Sequence, residues 1–220
     1  MSNRRELAVT LERVKGFDNP RVEFEQYQTP ADLAATLVHT AALQGDISGR
    51  RIVDLGCGTG MLALATALCG AQPRAVVGID RDGDALESAR ANERRLTPSV
   101  SISWIRGDAT RPPLCVSNAS VATADATPTT VMMNPPFGAQ KGSEHADRAF
   151  LDAAGTLANV SYSVHNAGSA DFVETFAADA GGRVTHAFGA EFDLPRAFEF
   201  HSEDSKTSSV EVFRIVWDGG

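Results

Sequence analysis

Asn134 ends a run of apolar and β-branched residues, and Pro135, Pro136 and Phe137 follow it at once. Each proline keeps the residue before it out of the helical conformation, so the stretch predicts a stiff loop after a strand. The side-chain oxygen of Asn134 and the backbone oxygen of Pro135 can accept the two hydrogens of one amino group, and Phe137 can stack on a planar group. The pattern predicts a reaction site for an amino group; the alternative is a rigid turn capped by a buried phenylalanine.

Such a loop suits the methylation of a weakly nucleophilic nitrogen. The lone pair of an exocyclic amine is delocalised into its ring, and two acceptors favour the tetrahedral, positively charged nitrogen that develops during attack. A fixed loop also aims the nitrogen at its electrophile. No strong base is needed, because the methylated ammonium product is itself very acidic.

A glycine-rich loop, "VDLGCGTGML", contains Asp54, Gly56, Gly58 and Gly60 between a predicted strand and a predicted helix. Glycines permit a tight turn and a close approach of the backbone to a ligand. A dinucleotide-binding loop would carry a third glycine where Met61 stands, and no GKS or GKT sequence forms a phosphate cradle. The loop therefore predicts a cofactor without phosphates, unless the glycines serve the turn alone.

Two acidic residues end the next two predicted strands. Asp80 lies 20 residues after Gly60, where a carboxylate can accept both hydroxyls of a ribose, and Asp108 can accept the amino group of an adenine ring. Each alone could be a cap or a turn residue. Because the carboxyl ends of parallel strands meet at one crevice, the loop and the acids together predict binding of S-adenosyl-L-methionine.

The elements that must position these residues alternate along the chain. Apolar runs predict seven strands, at residues 51–56, 74–80, 100–108, 128–134, 160–166, 183–194 and 208–219, of which the last two can pair antiparallel. Helical patterns occupy residues 6–17, 29–45, 61–70, 83–96, 145–158 and 169–182. In the second helix, Thr29 is the expected cap and Pro30 the first residue. The pattern predicts an α/β fold with a mostly parallel sheet and helices on both faces.

Composition excludes several classes of protein. The formal net charge of −8 argues against a protein that binds nucleic acid with its whole surface, since phosphate contacts need clustered cations. No run is long enough to span a membrane, and no export signal is visible, so a cytoplasmic location is expected. The three cysteines form no CxxC pair, and we expect them to be reduced, with no bound metal.

Three motifs carry a resemblance to a known family. The pair DLGCGTG and NPPF resembles the class I methyltransferases that act on amino groups, and "EFEQYQTPADLAATLV" is similar to a segment of the methyltransferase-like-five family. That family methylates the N6 amino group of an adenine in small-subunit ribosomal RNA. The order of "VKGFDNP", "NPPFGAQKGSEHADRAFL" and "DLPRAFEFHSEDSKTSSVEVFRIV" also matches, so the resemblance covers nearly the whole chain.

The resemblance implies a role for each part of the chain and for the residues of the site. Residues 1–49 would be a helical extension that contributes to the cofactor site, and residues 50–220 would be a Rossmann-like, seven-stranded class I methyltransferase domain with a final antiparallel strand. Asn134, Pro135, Pro136 and Phe137 would form the reaction site. The residues expected to hold S-adenosyl-L-methionine are Gln26, Thr29, Asp54, Gly56, Gly58, Thr59, Gly60, Met61, Asp80, Asp108 and Ala109.

The family further implies two partners, the RNA and a small zinc-ribbon activator protein that pairs with a strand edge. Residues 99–108 are the candidate edge strand, and its apolar side chains Ile102, Trp104 and Ile105 would favour aggregation if no partner covered them. Alternatively, these side chains face the flanking helices. Residues 139–146 would be either a loop near the target base or a plain surface loop. Metazoan-like relatives carry a lysine run in the last hairpin, where this chain has only Lys206. Either RNA is not bound electrostatically at that place, or the contact works under different salt conditions.

Two other functions are compatible with parts of the pattern. A protein-glutamine N-methyltransferase would share the glycine loop and the asparagine-proline loop, although tyrosine more often follows the prolines in that class. A non-catalytic cofactor-binding scaffold is the other alternative, and the intact Asn134 and Phe137 argue against it.

Overall fold

The computed structural model describes residues 3–21, 25–114, 127–136, 146–193 and 207–218. Seven strands form one sheet: β1 (Arg51–Leu55), β2 (Ala75–Asp80), β3 (Ile102–Arg106), β4 (Thr129–Met133), β5 (Val160–Asn166), β6 (Gly182–Asp193) and β7 (Thr207–Trp217). Six helices accompany them: α1 (Arg4–Leu11), α2 (Ala31–Leu43), α3 (Met61–Leu68), α4 (Gly83–Leu96), α5 (Ala146–Leu157) and α6 (Ala170–Asp179).

The sheet has the strand order β3-β2-β1-β4-β5-β7-β6. The first five strands in this order are parallel, while β7 pairs antiparallel with both β5 and β6. The predicted α/β class, the mostly parallel sheet and the final antiparallel pair are therefore confirmed.

Both faces of the central strands are buried, as their nearly continuous apolar sequences predict. Ile52, Met132 and Tyr162 belong to a core shared with α1, α2 and α3. The alternate residues Val53 and Val131 belong to a second core formed with α5 and α6. The helices thus lie in two layers, one on each face of the sheet.

The bounds of two elements were predicted without error, namely α4 at residues 83–96 and β5 at residues 160–166. The first helix is shorter than its pattern suggested, because α1 ends at Leu11 rather than continuing to residue 17. The prediction for the start of α2 was wrong. The N-cap of α2 is Pro30, which makes no side-chain cap bond, so Thr29 does not cap this helix.

Strand β3 lies at the edge of the sheet, as expected. Its apolar side chains face the flanking layers: Ile102 is buried, and Trp104 packs against the Cα of Gly78 in the neighbouring strand. Glu93 of α4 accepts hydrogen bonds from the backbone N–H of Ile102 (2.9 Å) and from the Trp104 indole (2.7 Å). The structure thus favours the alternative in which these side chains serve the core.

A buried ion pair joins the N-terminal helices to the antiparallel end of the sheet. The carboxylate of Asp46, only 1% exposed, accepts hydrogen bonds from the guanidinium of Arg214 (2.7 Å) and from the hydroxyl of Tyr162 (2.7 Å). A charge so deeply buried costs free energy unless it is paired in this way. These contacts therefore fix the turn after α2 against β5 and β7.

Within the described part of the chain, no helix is both long and apolar enough to cross a membrane. Cys57 and Cys69 are free and buried, whereas Cys115 lies outside the described residues. The loop expected at residues 139–146 and the region around Lys206 also fall largely or wholly outside them.

Candidate active site

The carboxyl ends of four parallel strands meet in one row. The register pairs Leu55 of β1 with Ile79 of β2 on one side and with Met133 of β4 on the other. On the far side of β2, Asp80 pairs with Arg106 of β3. Because the predicted functional residues follow these positions in sequence, the fold brings the glycine loop, the two acids and Asn134 to the same edge of the sheet.

The glycine loop wraps over the end of β2. The backbone N–H groups of Gly56 and Cys57 both donate to the carbonyl of Ile79, at 2.9 and 3.0 Å. Gly58 adopts a positive φ of 52°, and a Cβ there would lie 2.9 Å from the ring of Phe17. Only glycine fits this position without strain, since both the backbone conformation and the space above it exclude a side chain.

Asp54 lies beneath the loop and is only 2% exposed. Its carboxylate accepts a hydrogen bond of 2.9 Å from the N–H of Ala63 in the first turn of α3. Burial raises the pKa of Asp54 to about 7; the bond from Ala63 opposes the rise, and the charge of Asp80 adds to it. A cation bound beside Asp54 would stabilise its ionised form.

Asp80 fastens the glycine loop to the start of α4. One carboxylate oxygen accepts from the N–H of Gly58 (2.8 Å), and the other accepts from the N–H of Asp82 (2.9 Å). Burial raises the pKa of Asp80 despite these two bonds. In contrast, Asp108 is exposed, and bonds from the side chain and backbone of Thr110 lower its pKa. Both carboxylates have lone pairs that remain available to hydroxyl or amino groups.

Residues 25–29, which we call the strap, connect two ends of this row. At one end, Gln26 Nε2 donates to Asp82 at the N-terminus of α4, over 2.7 Å. At the other end, the hydroxyl of Tyr27 donates to the carbonyl of Pro135 over 3.4 Å, and Thr29 Oγ1 accepts from Asn134 Nδ2 over 3.0 Å. The strap therefore contacts both the acid-rich end of the crevice and the asparagine-proline loop.

Asn134 combines one satisfied and one unsatisfied polar atom. Its Nδ2 donates to Thr29, while its Oδ1 is buried and has no hydrogen-bond partner among the described residues. Buried polar atoms are nearly always paired, so an unpaired acceptor in a cleft marks a place where a donor from a ligand can bind. The sequence pattern predicts that this atom accepts from the substrate amine, and that role stays a prediction.

A cavity of about 290 Å³ joins these groups. The expected cofactor residues that line it are Gln26, Thr29, Asp54, Gly56, Gly58, Thr59, Met61, Asp80, Asp108 and Ala109, and the expected reaction-site residues that line it are Asn134 and Pro136. Pro135 is buried beside Tyr27. Phe137 lies outside the described residues.

Gly60 occupies a different position from the other loop glycines. It does not line the cavity; it is the N-cap of α3, and a Cβ there would lie 2.6 Å from the indole of Trp104. Its φ of 91° also disfavours other residues. The structure thus gives Gly60 a part in the turn and in the packing of β3.

Sequence reasoning missed several residues that line the cavity, including Phe17, Tyr27, Cys57 and Phe150. Tyr27 and Cys57 each stand between two residues that were identified, so position in the motif could have revealed them. No local pattern places Phe17. Its position depends on Asn92, a buried residue that bonds the backbone of Lys15 and the carbonyl of Thr59 and so holds residues 15–17 against the glycine loop.

The lining groups fit a positively charged cofactor. Asp54, Asp80 and Asp108 contribute carboxylates, whereas Arg81 is the one basic residue among the described residues that line the cavity. S-adenosyl-L-methionine carries a sulfonium and an ammonium group, together with the ribose hydroxyls and the adenine amino group that such carboxylates accept. A phosphate-bearing cofactor would instead meet repulsion.

Comparison with protein families matches residues 29–160 to the methyltransferase small domain. The rRNA N(6)-adenosine-methyltransferase Mettl5 of Drosophila melanogaster is 34% identical over 96% of this chain and 95% of its own length. The corresponding METTL5 protein of Danio rerio is 32% identical over 96% of this chain and 98% of its own. An uncharacterised protein of Methanocaldococcus jannaschii is 34% identical over 98% of this chain and 94% of its own.

Among solved structures, one from Pyrococcus horikoshii, described provisionally as an RNA methyltransferase, superposes with a TM-score of 0.83 at 32% identity. The match covers 99% of this chain and 98% of that chain. Fold, cleft and sequence relationship agree with one another. The chain belongs to the methyltransferase-like-five family of class I methyltransferases, which carry the methyltransferase small domain and use S-adenosyl-L-methionine as their cofactor.

Proposed function

We propose that this chain transfers a methyl group to the N6 amino group of an adenine in small-subunit ribosomal RNA. The observation that carries the proposal is the buried, unpaired Oδ1 of Asn134 at the end of a cleft suited to S-adenosyl-L-methionine. An acceptor in this position requires a donor, and an exocyclic amine supplies one. The relatives named as rRNA N(6)-adenosine methyltransferases support the choice of adenine in RNA.

The residues of the loop act by positioning and by charge. Asn134 Oδ1 and the carbonyl of Pro135 accept the two N–H groups of the amine, which favours a tetrahedral nitrogen with developing positive charge over the planar ground state. When bound, S-adenosyl-L-methionine supplies an electrophilic methyl group on its sulfonium. The amine would take this methyl group as the sulfur–carbon bond breaks, and the methylated nitrogen would then release one proton to solvent. We further propose that Phe137 stacks on the target base.

The test is transfer of labelled methyl groups to deproteinised RNA of the small ribosomal subunit, with wild type and Asn134→Ala compared under the same conditions. We expect label in N6-methyladenosine after digestion of the RNA to nucleosides. The variant should be slower by roughly 10²–10³, by analogy with the loss of one preorganised polar group in other active sites. Normal cofactor affinity in the variant would show that the loss concerns the transfer step.

Two outcomes would contradict the proposal. Label in a release-factor-like protein, with none in the RNA, would assign the chain to the protein-glutamine N-methyltransferases. Label in the RNA at equal rates for wild type and variant would remove Asn134 from the reaction.

The same proposal extends to the two parts of the chain. We infer that residues 1–49 form an extension that completes the cofactor site, on the ground that the strap lines the cavity. We infer that residues 50–220 form the catalytic domain, and that the glycine loop with Asp54, Asp80 and Asp108 holds the cofactor. A ribosomal substrate also favours the cytoplasm as the location.

We propose further that a small zinc-ribbon protein pairs with the outer edge of β3. Support comes from the position of β3 at the end of the sheet, where its backbone can extend to another strand. Such a partner has to share or displace the bond between Glu93 and the N–H of Ile102. Chain purified alone that is monomeric, stable and fully active would contradict this partner.

A further inference from the structure

We propose that Thr29 is a positioning residue for the transfer reaction: its hydroxyl holds the amide of Asn134 with Oδ1 directed to the substrate. The inference deepens the proposed function and rests on it. It goes beyond the expected contact of Thr29 with the cofactor, because it concerns the rate of transfer at full cofactor occupancy.

The hydroxyl of Thr29 is available for this purpose because α2 does not use it. A threonine before a proline at the start of a helix would ordinarily bond the N–H groups of the first turn. Here α2 begins one residue later, at Ala31, and Pro30 is its N-cap. The Thr29 side chain, only 7% exposed, instead reaches Asn134.

The contact matters because the two ends of an amide differ in chemistry. An asparagine can present either a carbonyl oxygen or an NH₂ group, and rotation by 180° exchanges them with little change in shape. Only the oxygen can accept from an amine. With Nδ2 bonded to Thr29 over 3.0 Å, Oδ1 is the atom left unpaired. Removal of the Thr29 oxygen would leave Nδ2 buried without this acceptor and would release the amide to rotate.

Neighbouring groups restrict the backbone around Asn134. Pro135 limits the backbone of Asn134, and the Tyr27 hydroxyl contacts the Pro135 carbonyl, the second acceptor of the loop. The strap thus contacts both residues that supply the acceptors, at the amide Nδ2 of Asn134 and at the carbonyl of Pro135. In the structure the Thr29 hydroxyl accepts from Nδ2 and holds the Asn134 amide in the orientation that leaves Oδ1 unpaired among the described residues, so loss of this bond should affect the transfer step specifically.

The experiment measures single-turnover methyl transfer to small-subunit ribosomal RNA at saturating cofactor and RNA. The informative variants are Thr29→Val, which keeps the shape without the hydroxyl, and Thr29→Ser, which keeps the hydroxyl. Thr40→Val is the matched control, since the Thr40 hydroxyl donates to the carbonyl of Thr36 within α2. We expect a loss of roughly 10- to 100-fold for Thr29→Val, because a buried donor is left unpaired, and less than about threefold for the other two variants.

A double variant tests whether Thr29 acts through Asn134. In the Asn134→Ala background, Thr29→Val should cause no further loss, because the group it orients is absent. An equal loss in both backgrounds would overturn the inference, as would a Thr29→Val enzyme that binds the cofactor weakly but transfers at the wild-type rate once saturated. Should Thr29→Val fail to fold, Thr29→Ala replaces it in the same comparison with Thr29→Ser.

A second readout does not depend on activity. The side-chain NH₂ resonances of Asn134, assigned by their absence in Asn134→Ala, should move in Thr29→Val and stay in place in Thr29→Ser. Unchanged resonances in Thr29→Val would overturn the inference even if the RNA proved not to be the substrate. Conversely, methylation of a different amine by the wild type would contradict the proposed function. The comparison of the Thr29 variants on that amine would still test the inference about Thr29.

Discussion

Replacement of Asp54 by asparagine should stabilise the cofactor-free protein and weaken cofactor binding at the same time. Asp54 is 2% exposed, and burial raises its pKa from 3.8 to about 7. Folding therefore favours the protonated carboxyl. The stability that this preference contributes is complete below pH 4 and is lost as the pH rises through about 7, where the folded protein must hold a buried negative charge. Asparagine avoids that cost and can still accept the bond from Ala63.

The size of the effect follows from the shift. A shift of about three pKa units makes the unfolding free energy of Asp54→Asn larger than that of wild type by about 4 kcal/mol at pH 8. This difference falls to about 2 kcal/mol near pH 5.5, where ionisation of Asp54 in the unfolded chain is less favoured. For a chain of 220 residues, the change at pH 8 corresponds to a rise in melting temperature of about 10 °C. Affinity for S-adenosyl-L-methionine should fall, because the neutral amide no longer attracts the cationic cofactor.

Thermal unfolding of wild type and Asp54→Asn between pH 5.5 and pH 8, without cofactor, measures the first effect, and titration calorimetry measures the second. Asp108→Asn is the control, since the pKa of this exposed carboxyl is lowered and its linkage window lies below pH 4. Its effect on stability should be independent of pH in this range. A difference between Asp54→Asn and wild type that does not grow with pH would refute the assignment of a buried, shifted carboxyl.

Three further substitutions test the contacts that hold the site in place. Gly60→Ala should destabilise the protein by roughly 1–3 kcal/mol in chemical denaturation, because its Cβ would meet the Trp104 indole at a positive φ; stability equal to wild type would contradict the packing at this turn. Arg214→Met should cost roughly 3–5 kcal/mol by leaving the buried Asp46 carboxylate without its principal cation, and a gain in stability would show that the pair is dispensable. Glu93→Gln should cost roughly 1–2 kcal/mol and shift tryptophan emission, since a charged acceptor of the Trp104 indole is lost; an unchanged spectrum and stability would argue against that bond.

The sequence predicted the elements well where one physical pattern was sufficient. Helix α4 has an amphipathic pattern between the capping residue Asp82 and a left-handed Thr97, and its bounds were correct. The first helix was overextended because apolar spacing continues past Leu11, whereas the chain leaves the helix there and its Lys15 backbone bonds Asn92. The competing contact lies 77 residues away and leaves no local trace.

The same limit applies to the strap. Gln26 and Thr29 look like a polar approach to a helix, and local propensity assigns Thr29 to its cap. Their partners, Asp82 and Asn134, are 56 and 105 residues distant in sequence. Only resemblance to a family connected these residues to the cleft, and only the structure showed that Thr29 contacts the amide rather than the helix.

The charge of the cleft also restricts how a nucleic acid can approach it. Carboxylates of Asp54, Asp80 and Asp108 line the cavity and suit a cationic cofactor, but they repel phosphate. The backbone of an RNA therefore has to remain outside, and the target base has to enter with its edge first, as an unpaired or flipped nucleotide does. In the proposed reaction, the acceptors of Asn134 and Pro135 then meet the amine without a phosphate in the acidic part of the cleft.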